Sequence, residues 1–364
     1  LSGGKLTVPN STLVIGNQFN KTGGSINLAG TNLQLYSDLS LTSDTLLSIQ
    51  SLDLNQQKLT LSDAGSDLEV QNLLEIDHAN EGLTTGNADL ELKQGISISA
   101  GEVTSTAGTV AIKGSSSLSS GTLSVSSGTL ALGGSFEKNG GTLSFSDSSF
   151  SLLDNLTWTS DSLLEIKTLE LDNFSLTLGS ASSDLKIINP LILDHEEEKL
   201  ISGEADLKFS GLLNISLGEL SSSNGKIQLE QGVVLSGGKL TVPNSTLVIG
   251  NQFNKSGGSV NLAGTNLQLY SDLSLTSDTL LSFQSLELNQ KKLTLSNGES
   301  DLEVHSLLEI DDVNEGLIIG NADLQLNQGI SISAGEVTST AGTVAINGTS
   351  NLSSGTLSVS SGTL

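Results

Sequence analysis

Leu1–Gly16 reads LSGGKLTVPNSTLVIG, returns unchanged as Leu235–Gly250, and stands in looser form as LSSGTLSVSSGTLALG at Leu118–Gly133, so each return lies 117 residues from the last. Three units follow: 1–117, 118–234 and 235–351, with 352–364 opening a fourth. They align without a gap, so every loop has kept its length. Units one and three agree at roughly 85% of positions and units one and two at roughly 40%, which makes a pair of units the longer period.

Within a unit a second period of about 20 residues is visible. Leu6-x-Val8 recurs as Ile26-x-Leu28, Leu47-x-Ile49, Leu68-x-Val70 and Leu90-x-Leu92. Apolar residues two apart fall on different sides of a helix but share one face of a strand, so these runs are short strands. The separators, Ser-Gly, Gly-Gly, Ser-Asp and Asn-Gly, are turn formers. The expected fold is all-β: a right-handed parallel β-helix (β-solenoid) of about 20 residues per coil and six coils per unit, each strand pairing with its counterpart about 4.8 Å above and below. Leu6, Val8, Leu13, Ile15, Leu52, Leu54, Leu59 and Leu61 are expected to face inward. An antiparallel sandwich of 117-residue domains is the rival architecture.

Composition narrows the function classes. Forty acidic residues against fifteen lysines and no arginine give a net charge of −25, which repels nucleic acid and anionic membranes. Cysteine is absent, so there is no thiol or disulfide chemistry. No apolar run is long enough to span a bilayer. The sequence begins and ends inside the recurring stretch, which leads us to expect a slice of a longer polypeptide.

Several positions invite a chemical reading. Asp38, Asp44, Asp67 and Asp89 sit at corners, where calcium is one candidate and the bonding of nearby backbone N–H groups the simpler reading. His78 and His195 follow Asp77 and Asp194, but the third unit has Asp311-Asp312, so the imidazole is dispensable. The run Glu196-Glu197-Glu198 reads as a solvated turn. Phe19, Phe136 and Phe253 share one register and suit a core corner, and Trp158 replaces Leu41 and Leu275 as a local repacking. No Ser/His/Asp set or phosphate loop is evident, and no catalytic, cofactor-binding or metal residue is expected.

The segments Gly140–Leu143 (GGTL), Ser120–Leu123 and Ser127–Leu130 (SGTL), with the x-L-x-L-x-G strands, resemble the β-helical repeats of bacterial surface proteins of the autotransporter-passenger and filamentous-haemagglutinin-like adhesin type. The resemblance implies an extracellular stalk or fibre whose partners are further copies of its own repeat, and glycans or proteins on host or neighbouring cells. A polysaccharide-binding or polysaccharide-cleaving β-helix and an ice-binding β-solenoid are the alternatives, although outward Gln34, Asp53, Lys58 and Glu69 break up a Thr-x-Thr array.

Overall fold

A computed structural model describes residues 1–145 and 147–364. It is a parallel β-solenoid: every strand pairing is parallel, and the described residues contain no helix. The chain divides into two compact units, Leu1–Gly179 and Ser180–Leu364, whose boundary does not coincide with that of a sequence repeat.

In Leu1–Gly179 three faces alternate along the chain. The first carries Leu47, Leu68, Leu90, Val110, Leu130, Phe150 and Leu169, each paired with the next. On the third, Leu39, Leu59, Leu83, Val103, Leu123 and Leu143 form a ladder. The second runs through Leu74, Ile96, Ser116, Phe136, Trp158 and Leu178. Successive rungs are about 20 residues apart because each turn needs three short strands and three corners. Ser180–Leu364 is built alike, with ladders such as Leu185–Leu207–Ile227–Leu247–Leu267 and Leu191–Leu213–Val233–Phe253–Leu275.

Alternation puts every second side chain inside. Leu52, Leu54, Leu59 and Leu61 are buried as expected, while Leu6, Val8, Leu13 and Ile15 share the inward phase but are only half-buried. Their strands lie in the first turn, where Lys5–Thr7 pairs on one side only, with Ser25–Asn27. The copies Leu123, Val125, Leu130 and Leu132, whose strands pair on both sides, are fully buried.

The repeat and the turn do not keep step. Residues 5–118 form fifteen strands, and two of them, Thr12–Lys21 and Asn32–Ser43, bend across a corner and serve two faces each. A repeat thus supplies seventeen faces, one short of six closed turns. Equivalent residues consequently lie on different faces: Phe19 is in the ladder Phe19–Leu41–Leu61, continuous with the third face, whereas Phe136 is on the second.

Phe136 and Phe253 are buried as the sequence predicts, and Phe19 is half-buried in the first turn. Trp158 stacks on Phe136, with ring centroids 4.9 Å apart and planes 7° from parallel, and stands edge-on to Phe150 at 6.3 Å. Where Leu41 and Leu275 sit in the other repeats, a larger ring is thus accommodated by aromatic packing.

Candidate functional site

Repeated polar groups occupy the corners, and their partners explain them. Asp38 accepts the Lys58 N–H at 2.8 Å, Asp67 that of Asp89 at 2.9 Å, and Asp89 that of Thr109 at 2.7 Å. Each carboxylate thus ties one turn to the next. Asp301 and Asp323 do the same for Asp323 and Thr343, and Asp184 for Asp206. Asp44 instead pairs with Lys21, as Asp161 does with Lys138 at 2.7 Å and Asp278 with Lys255. The Lys21 and Lys255 side chains are almost wholly buried, yet each ammonium has its counter-ion, as a buried charge requires. Lys138 and Lys255 hold the Asp161 and Asp278 carboxyls below the usual aspartate range.

Glu198 departs from the solvated-turn reading. It is buried, unlike exposed Glu196 and Glu197, and its carboxylate accepts the N–H groups of Asp194 at 2.8 Å and His195 at 3.2 Å. Glu81 and Glu315 are equivalent: Glu81 receives Asp77 and His78 on one oxygen and Gln56, from the preceding turn, on the other. The histidines sit beside them in a turn. His78 Nδ1 accepts the Asn80 N–H at 3.2 Å, His195 Nδ1 that of Glu197 at 3.3 Å, and Asp312 Oδ1 that of Asn314 at 2.8 Å. One acceptor is all the turn needs, which is why aspartate replaces histidine there.

The densest polar cluster is one that the sequence reading missed. Ser282, Glu303 and Gln325 occupy successive rungs of one ladder. His305 stands between Ser282 Oγ, 2.9 Å from its Nε2, and Asn327 Nδ2, 2.9 Å from its Nδ1, with Glu303 at 3.6 Å. A serine, a histidine and a carboxylate within reach suggest a nucleophile and its base. The hydrogen bonds assign the opposite polarity. The Asn327 amide is fixed because its oxygen accepts from Gln325 at 2.9 Å and its nitrogen donates to Glu303 at 2.9 Å. That nitrogen therefore donates to Nδ1 as well, so neutral His305 carries its proton on Nε2 and gives it to Ser282.

The first repeat supports this assignment. There Gln71, in the place of His305, donates to Ser48 at 3.3 Å and to Glu69 at 2.6 Å, and Ser48 donates to Glu69 at 2.6 Å. Lys93, in the place of Asn327, bridges Glu69 at 3.0 Å and Glu91. In both versions donors converge on one glutamate. The Ser48 hydroxyl and Lys93 hold Glu69 below the usual glutamate range, and Asn327 and Ser282 do so for Glu303. The arrangement clamps a carboxylate across three turns. A spacing of 20 to 24 residues, one turn, was the sequence signal for such clusters.

Outward hydroxyls line the third face of the first unit, where Ser40, Thr60, Thr84, Thr104, Ser124 and Ser144 follow one another turn by turn. The neighbouring rank holds Lys58, Gly82 and Glu102 before Thr122 and Thr142, so the paired hydroxyl array is confined to the last two turns. Among the described residues no three His, Cys, Asp or Glu side chains converge on one point as metal ligands would, and no helix is long and apolar enough to cross a membrane. No protein-family model matches the chain, and neither a curated protein nor a solved structure does.

Proposed function

We propose that the chain is a structural segment of a long extracellular fibre or adhesin stalk on a bacterial cell surface, without catalytic activity. One observation carries this reading: the recurring polar side chains, Asp67, Glu81, Lys21 and their copies, are engaged in tying turn to turn. A catalytic centre calls for a unique cluster whose groups are left available to substrate, whereas a spacer calls for the same turn many times. The partners in this reading are further copies of the repeat, and surface glycans or proteins of host or neighbouring cells. The strong negative charge suits a solvated surface element that stays apart from nucleic acid and anionic lipid.

Antiserum raised against the chain tests the location. Immunogold microscopy of intact cells from the source should place label on surface projections, and external protease should remove it. Label seen only after lysis would overturn the proposal.

A further inference from the structure

Once per repeat the wall of the solenoid is interrupted. Among the described residues Ser259–Asn261 pairs only with Lys239–Thr241, and Leu281–Phe283, one turn on, pairs only with Leu302–Val304. Between these strands lies an open niche of about 440 Å³, lined by Val260, Leu262, Ala263, Leu280 and Ser282, with His305 beside them.

Both walls present free strand edges. In a parallel ladder alternate residues turn their peptide groups to alternate neighbours. The Ser259 N–H donates to the Gly238 carbonyl, and the Asn261 carbonyl accepts from Val242, so the peptide groups of Val260 face away from that strand and into the niche. On the opposite wall the Leu281 N–H donates to Asp301, and the Phe283 carbonyl accepts from His305, which turns Ser282 to the niche.

Apolar side chains stand uncovered in this lining beside polar Asn261, Thr279 and Gln284. Leu280 is 55% exposed, and its equivalents Leu46 and Leu163 are 52% and 57% exposed. Leucine is retained at this outward position in all three repeats. Val260, above the niche, is half-buried, although Leu240, its partner on the preceding rung, is fully buried. Unpaired backbone groups flanked by uncovered Leu and Val are what an added β-strand completes.

We infer that this niche is a docking site for an extended peptide segment of a partner protein, added as a strand between the two edges with an apolar side chain against Leu280. The partner segment is basic. A chain of charge −25 attracts lysine- or arginine-flanked strands and repels a second copy of itself.

The test uses the full chain and the blocked hexapeptide Lys-Thr-Val-Thr-Val-Lys, followed by calorimetry and by amide exchange in ¹⁵N spectra. We expect saturable binding and slowed exchange at the Ser282 and Val260 amides. We also expect affinity at least about tenfold weaker for the same peptide N-methylated at both valines, because its strand donors are gone. The triple variant Leu46→Asp, Leu163→Asp, Leu280→Asp alters exposed positions only, and circular dichroism should report its fold intact while binding is lost. Absent or non-saturable binding, equal binding of the N-methylated peptide, or unchanged Ser282 exchange would overturn the assignment. Self-association of the chain that the peptide displaces would also overturn it, giving the niche to a second copy.

Discussion

Thr85 faces the core with its hydroxyl buried and unpaired, and the same position is Ile319 in the third repeat, fully buried. Thr85→Val should therefore stabilise the chain by about 1 kcal/mol in urea titration, since it removes an orphaned polar group without changing shape. The inverse substitution, Leu54→Asp, should cost several kcal/mol at a site only 1% exposed. Clamped Glu69 and Glu303 give the pH dependence. Because their carboxyls titrate lower when folded, each contributes stability that is present above the ordinary glutamate range and lost as pH falls through the lowered value. Lys93 has the opposite sense: its raised value makes its contribution fade only at strongly alkaline pH. The stability gap between wild type and the double variant Glu69→Gln, Glu303→Gln should thus close on acidification, measured as the urea midpoint from pH 7 to pH 3. Trp158, the only tryptophan, supplies the signal, since its buried ring should emit to the blue until the chain unfolds.

At the scale of the element, strand and corner were unequally legible. The x-L-x-L alternation announced strands such as Leu68–Val70 and Leu90–Leu92, because a period of two has one physical meaning. Corners were harder, since a carboxylate in a turn reads alike whether it is solvated or buried. Glu198 lay within an acidic run that masked its role, while retention of Glu at 81, 198 and 315 was the available clue. Gly101 packs against the same corner: it has φ of +64°, and an added Cβ would lie 2.4 Å from the Glu81 carbonyl oxygen. Gly101→Ala should cost more than about 1 kcal/mol, from positive φ and the backbone clash together. Glu81→Ala, which removes the buried carboxylate that accepts the Asp77, His78 and Gln56 N–H groups, should cost about 1 to 3 kcal/mol. Thermal melts of the two variants check both values. The Ser282–His305–Asn327 cluster was illegible for a different reason: its members are separated by whole turns, and only the pairing register brings them together.

For the whole molecule, the repeat revealed the solenoid but concealed its phase. An average near 20 residues per turn is compatible with six closed coils, and only the two long strands that bend across corners show that a repeat stops one face short. As a result equivalent corners point in different directions: Leu46 precedes the first-face strand Leu47–Ile49, whereas Leu163 precedes Leu164–Ile166, which follows the second-face residues of the long strand Ser149–Ser160. A solenoid built this way presents equivalent side chains on different faces in successive repeats. Absence of cysteine lets the register be measured directly, with spin labels at Ser40→Cys and Ser124→Cys and their separation read by pulsed electron spin resonance. The two positions are four rungs apart on one ladder, Ser40–Thr60–Thr84–Thr104–Ser124. The solenoid predicts a single narrow distribution centred near about 19 Å between the labelled backbones; a broad distribution, or a centre beyond about 30 Å, would contradict it.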